Sequence, residues 1–209
     1  MKSSRKITDK RQLRGEKSKQ AIVKAAVACI AHQGLRDATL ERVAQKAKVS
    51  KALVAFHFKS KNGMLAAVLI HQETVFENGW DAILAGNSIS TSEKLLELLE
   101  YDVRFSVEHR DFISVWHAYW GEARGSSLYR KLTNPRDQRY ENDVRKLLKE
   151  LTKEGEYDDI NVPALERGIN AMMFGIWRDS HLTHGPNDYN NGIQAMYVYL
   201  HKLFPKHYE

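Results

Sequence analysis

Apolar residues recur along most of the chain at intervals of three and four, and no long alternating run marks a strand. Ile22, Ala26, Cys29 and Ile30, with Val23 and Val27 beside them, form one such face, and Gly34 is placed to end its helix. Thr39 can cap a second helix, with Glu41 in the first turn and Leu40, Val43, Ala44 and Ala47 on one side. Ser50 can cap a third, very short helix that runs to about residue 56, and only the stretch AKV precedes it. Three short helices with a tight turn before the last describe a helix-turn-helix module. A long helix follows from about 61 to 85, closed by Gly86. Further helices are expected at about 91–108, 111–122, 126–151, 163–183 and 188–203, broken at GNSIST, HRD, EARGSS, KEGEYDD and THGPND. The predicted fold class is all-α.

Charge divides the chain. Its 209 residues are 43% hydrophobic and 28% charged, which suits a globular protein with a buried core. The net charge is +6, but residues 1–20 and 21–61 each carry +6, and residues 62–209 carry −6. All four Trp and all nine Tyr lie in the acidic part. A polyanion-binding front end and a different task behind it are expected. The predicted layout is a flexible basic arm over 1–17, a helix-turn-helix domain over 18–61, and a second helical domain over 62–209.

The third helix, KALVAFHF, has two faces. Val54 and Phe58 are four apart and suit packing onto the first two helices. Lys51, Ala52 and Leu53 project from its N-terminal end, where a recognition helix meets base edges. Lys51 suits guanine, and Leu53 suits a thymine methyl. His57 and Lys61 stand at the far end, within reach of phosphates, and Lys61 opens the next helix, whose amides favour an anion. Thr39 and Ser50 are hydroxyls at helix N-termini, again suited to phosphate.

The stretch TLERVAQKAKVSKALVAFHFKSKNGML resembles the signature of TetR-family repressors over about residues 18–66. It has the Thr cap, the A..A.VS turn, the HF pair and the K..L that opens the fourth helix. The resemblance implies a homodimeric, all-helical, cytoplasmic repressor with a C-terminal domain for effector binding and dimerisation. Two positions depart from the pattern. Lys48 stands where the turn usually has Gly, at a cost on the order of 1 kcal/mol if that position is left-handed. Ala55 stands where most members have a phosphate-binding Tyr, so that role is not carried over, and the basic arm is the compensation expected.

In the acidic part, Trp116, Tyr119 and Trp120 lie at i, i+3, i+4 on one helical stripe, Tyr101 and Phe105 are four apart, and Trp177 stands in a later helix. Such stripes are ordinarily core. The sharper reading is an aromatic cage for a quaternary ammonium, with Asp102 as its counter-charge. VWHAYWGEARGSSLYRKL and GIWRDSHLTHG resemble the choline-responsive BetI-type branch of the family. That branch implies repression of glycine betaine synthesis genes, with choline or betaine aldehyde as inducer. The alternative ligand is a non-cationic hydrophobic molecule of another pathway or efflux system. Ile169, Met172, Met173 and Ile176, then Ile193, Met196, Tyr197 and Leu200, give two amphipathic helices suited to a dimer interface.

Other classes fit less well. There is no P-loop and no GxSxG elbow, and the single cysteine, Cys29, in an Ala/Val-rich run, reads as core. His181 and His184 are three apart but lack a clear third metal ligand. No apolar run approaches a membrane span, and the basic N-terminus has no apolar segment behind it, so a cytoplasmic location is expected. No cofactor, metal or catalytic residue is predicted. A helical enzyme and a protein-binding bundle remain as rival classes, though neither explains +12 on the first 61 residues.

Overall fold

The computed structural model describes residues 2–86, 89–122, 127–182 and 188–208, all of them in helices or short connections. The elements are α1 (Lys2–Asp37), α2 (Leu40–Ala47), α3 (Lys51–Phe58), α4 (Lys61–Ala85), α5 (Thr91–Glu108), α6 (Arg110–Glu122), α7 (Ser127–Glu154), α8 (Val162–Leu182) and α9 (Asp188–Leu203). They form two compact units. One holds residues 1–73 and 114–129, the other 74–113 and 130–209. The GNSIST, EARGSS and THGPND breaks fall partly outside the described residues.

In the first unit, the apolar stripe of α1 (Ile22, Ala26, Ile30) is buried with Val43 and Ala44 of α2, Val54 and Phe58 of α3, and Met64 and Val68 of α4. The helix expected near residue 18 begins at Lys2, so the backbone of the basic arm is helical. Its Lys, Arg, Gln and Glu residues are good helix formers. Gly34 breaks the regular helix, with φ 77°, and one more turn runs on to Asp37. Thr39 and Ser50 cap α2 and α3 by accepting hydrogen bonds from Arg42 N (3.2 Å) and Leu53 N (3.1 Å). The third helix extends two residues past the expected end, because Phe58 still packs inward.

The second unit buries Leu95, Leu98, Leu99 and Val103 of α5 with Leu148 and Leu151 of α7, Ile169 and Met173 of α8, and Met196 and Leu200 of α9. Here the expected dimer faces of α8 and α9 are corrected. Ile169, Met173, Met196 and Leu200 face the core of their own unit, and the exposed apolar residues on these helices are Phe174, Leu182 and Val198. Gly192 lets α9 approach α5: a Cβ there would lie 3.0 Å from Val103 Cγ1. Buried Glu166 accepts from Arg145 Nη2 at 2.6 Å and Asn170 Nδ2 at 2.7 Å, joining α7 to α8. The C-terminal turn is fixed by Tyr208, whose hydroxyl donates to Ser92 O at 2.8 Å.

Lys48 ends α2 in the left-handed region, at φ 56° and ψ 42°, with its N–H shared between Ala44 O and Gln45 O. A side chain in that conformation is strained and glycine is not. Lys48→Gly is therefore expected to raise stability by about 0.5–1 kcal/mol, read from the midpoint of urea unfolding.

Candidate nucleic-acid interface and ligand site

Val54 and Phe58 turn one side of α3 inward, which leaves Lys51, Ala52, Phe56 and Lys59 exposed and Leu53 and His57 half-buried. Lys51 Nζ lies 3.4 Å from Glu41 Oε2. Both ends of that pair are largely in water, so it holds Lys51 weakly and yields readily to a nucleic acid. Thr39 and Ser50 use an oxygen lone pair on a backbone N–H, which leaves each hydroxyl its proton to donate to a phosphate. Both therefore combine a structural cap with the chemistry expected of a phosphate contact.

His57 and Lys61 are more constrained than the sequence suggests. Ser18 Oγ donates to Gly15 O at 2.9 Å and lies 2.8 Å from His57 Nε2. With the Ser18 proton so committed, the His57 Nε2–H is the donor to Ser18 Oγ. Only Nδ1 then remains for a phosphate, and it donates only in the imidazolium. Lys61 Nζ donates to Arg36 O at 2.7 Å, closing the last turn of α1. Both side chains hold helices together, and Lys61 also carries charge.

Phe56 was missed. It is 78% exposed on α3, two residues from both Val54 and Phe58 and so about 160° away around the helix. The signal was present in the sequence: a large aromatic at the polar phase of an amphipathic helix has no core to enter.

The sequence-predicted ligand residues divide between the units. Trp116 (2% exposed) and Tyr119 (4%) are core of the first unit, and the Tyr119 hydroxyl donates to Leu65 O at 3.0 Å. Trp120 is half-buried beside His117, ring centroids 4.7 Å apart. Asp102, Phe105 and Trp177 come together in the second unit. Asp102 Oδ1 accepts from Trp177 Nε1 at 2.9 Å. Phe76 stands at the centre of the rings, 5.0 Å from Phe105, 5.3 Å from Tyr101, 5.2 Å from Tyr140 and 6.3 Å from Trp177. Trp80 stacks on Phe76 and donates to Asp143 Oδ2 at 3.1 Å. The sequence reading passed over Phe76 and Trp80, although their spacing of four on α4 puts them on one face.

Loss of water pushes the Asp102 carboxyl up to about 7, against which the indole N–H of Trp177 favours the charged form. The residue as a whole is half-buried. Among the described residues no cluster of His, Cys, Asp and Glu is placed to hold a metal, and His184 lies outside them. Among the described residues no helix is long and apolar enough to cross a membrane.

The profile of the bacterial regulatory proteins of the tetR family matches residues 22–68. That of the BetI-type transcriptional repressor C-terminal region matches residues 92–205, more than half of the chain. The chain belongs to the BetI-type transcriptional repressors of the tetR family. The HTH-type transcriptional regulator BetI of Proteus mirabilis is 26% identical over 172 residues, covering 80% of this chain and 82% of its own. A Pseudomonas aeruginosa PAO1 structure superposes with TM-score 0.79 at 17% identity, over 93% of this chain and 95% of its own. A Saccharomonospora viridis protein solved in complex with choline superposes with TM-score 0.78 at 21% identity, over 88% and 96%. The expected fold and the resemblance read from the sequence are both borne out. This BetI-type repressor is a DNA-binding transcriptional regulator with a helix-turn-helix.

Lys51→Ala is expected to relax base preference at one operator position by about 1–3 kcal/mol while leaving the salt dependence nearly unchanged. Selection from a randomised duplex pool, followed by competition binding, measures this. An unchanged preference would mean that another residue of α3 reads that base.

Proposed function

We propose that this repressor binds its operator as a homodimer, in the cytoplasm, and is released by a small quaternary ammonium such as choline or betaine aldehyde. Its role is then control of glycine betaine synthesis, with no catalytic step. The observation that carries the ligand class is Asp102, a dehydrated carboxyl group bonded to Trp177 beside the rings around Phe76. An aromatic face is worth about 0.5–2 kcal/mol to a cation that has shed its water, and the carboxylate adds direct attraction. The choline bound by the Saccharomonospora viridis protein supports the same class. Of the residues named from sequence, Asp102, Phe105 and Trp177 stand together in the second unit, and Trp116 and Tyr119 are buried in the first.

One observation favours a second reading. Below about pH 7 the Asp102 carboxyl is neutral, and the aromatic cluster then suits an uncharged hydrophobic ligand.

The dimer reading rests on α8 and α9. Phe174 is 56% and Val198 57% exposed, with Ala171 and Ala195 exposed one turn before each. An apolar stripe of this kind on two adjacent helices is suited to a four-helix contact with a second copy. Two half-sites in successive turns of the major groove then receive the two recognition helices. Ligand lowers operator affinity only if it binds the released state more tightly. Phe174→Glu combined with Val198→Glu is expected to give a monomer by sedimentation, with operator affinity reduced at least tenfold.

Tryptophan fluorescence tests the ligand reading. Choline is expected to quench it saturably at pH 8, with the response largely lost in Trp177→Phe. A flat titration with both choline and betaine aldehyde would reject the cation and favour the neutral ligand.

A further inference from the structure

We propose that Asp102 exchanges a proton for the cationic ligand, so that binding a quaternary ammonium and releasing one proton are a single event. The inference rests on the cation reading above and goes beyond it by making inducer affinity depend on pH.

Asp102 Oδ1 receives the Trp177 N–H, and among the described residues no other hydrogen bond and no arginine, lysine or histidine ion pair reaches the carboxyl group. The Trp177 ring that donates to it packs against Phe76, and apolar rings cannot replace the water a carboxylate loses. A carboxyl so placed favours its protonated form until a positive charge arrives, and its ordinary value is raised to about 7. A quaternary ammonium has no proton to give and brings a permanent charge. Bound beside Asp102 it stabilises the carboxylate, and the carboxyl proton leaves to the solvent.

The ionisable groups of the surrounding helices have other partners. On α4 and α7, Glu77, Asp81 and Asp143 all meet Arg139. On α5, Arg104 lies over the Tyr101 ring, Tyr101 donates to Phe76 O, and Glu108 is exposed. His109, at the end of α5, stacks on Phe105 at 4.1 Å. On α8, Arg178 pairs with Asp179 at the surface, and His181 follows Trp177 by four. On α9, His201 is bonded to Tyr208 O. The test must therefore separate Asp102 from the histidines of these helices, His109, His181 and His201.

Calorimetric titration of choline into the full chain, in two buffers of different ionisation enthalpy, counts the protons. Close to one proton released per choline is expected at pH 6 and about a tenth at pH 8. Apparent affinity should be about tenfold weaker at pH 6, as a group titrating near 7 requires. Asp102→Asn should abolish both effects, with a thermal melt confirming its fold. The uncharged isostere of choline, carrying tert-butyl in place of trimethylammonium, should bind without proton release and no more weakly at pH 6. Choline binding with no proton release at either pH overturns the exchange and leaves the cation reading standing. Release that survives Asp102→Asn assigns the proton to a histidine and also overturns it. If the isostere binds and choline does not at either pH, the cation reading fails and the exchange with it.

Discussion

Two helices of eight residues each, α2 and α3, carry the function, and neither is long enough to persist alone. Isolated helices shorter than about 12–15 residues are marginal in water, because nucleation costs more than so few hydrogen bonds return. Their order therefore depends on burying Val43, Ala44, Val54 and Phe58 with the α1 stripe and with Met64 and Val68 of α4. The caps at Thr39 and Ser50 remove the remaining backbone cost at the ends that face solvent. The left-handed Lys48 is tolerated because these contacts over-determine the turn. Recognition geometry is in this sense a property of the small core beneath it.

Glu166 and Asp102, both carboxyl groups of the second unit, sit in dehydrated surroundings and differ in their partners. Glu166 receives a guanidinium and an amide, which supply charge and hydrogen bonds within the protein. Such a group is an internal strut whose loss would leave Arg145 without its partner. Asp102 receives one indole N–H and is half-buried as a residue. Folding thus completes the first site and leaves the second incomplete, and an incomplete charge site is where a ligand contributes most. For Asp102 the linkage runs toward acid. The folded state holds the proton more tightly than the unfolded chain, so this group favours folding most below pH 4. That contribution is lost as pH rises toward 7.

Much of the fold was legible in the sequence because most of its helices are amphipathic and bounded by turn formers. The ends expected for α4 and α5 coincide with those found, at Ala85 and at Thr91 and Glu108. The caps at Thr39 and Ser50 and the Gly34 break were equally plain. Periodicity says that a face is apolar but not what covers it. Ile169, Met173, Met196 and Leu200 therefore looked like a dimer surface although their own unit buries them. The same limit applies to Trp116 and Tyr119, whose stripe reads alike for a cage and for a core and which are buried in the first unit. It also hid Phe76, which lies 25 residues before Tyr101 and meets it only once α4 and α5 are packed. The partners of His57 and Lys61, Ser18 and Arg36, are likewise distant in sequence.

Those partners bear on how the DNA-reading face is divided. Lys61 and His57 hold α1 to its neighbours through hydrogen bonds of 2.7 and 2.8 Å, so a phosphate recruits either only by sharing or replacing an internal contact. Lys51 is held by an exposed pair that salt screens and a guanine can displace at little cost. Ala52 and Phe56 are exposed and bind nothing that must be given up. The exposed side of α3 is therefore the one suited to base contacts, whereas His57 and Lys61 are engaged in holding α3 and α4 to α1. Long-range attraction falls to the +6 of residues 1–20. A helical arm can deliver that charge along a phosphate backbone without taking part in base choice.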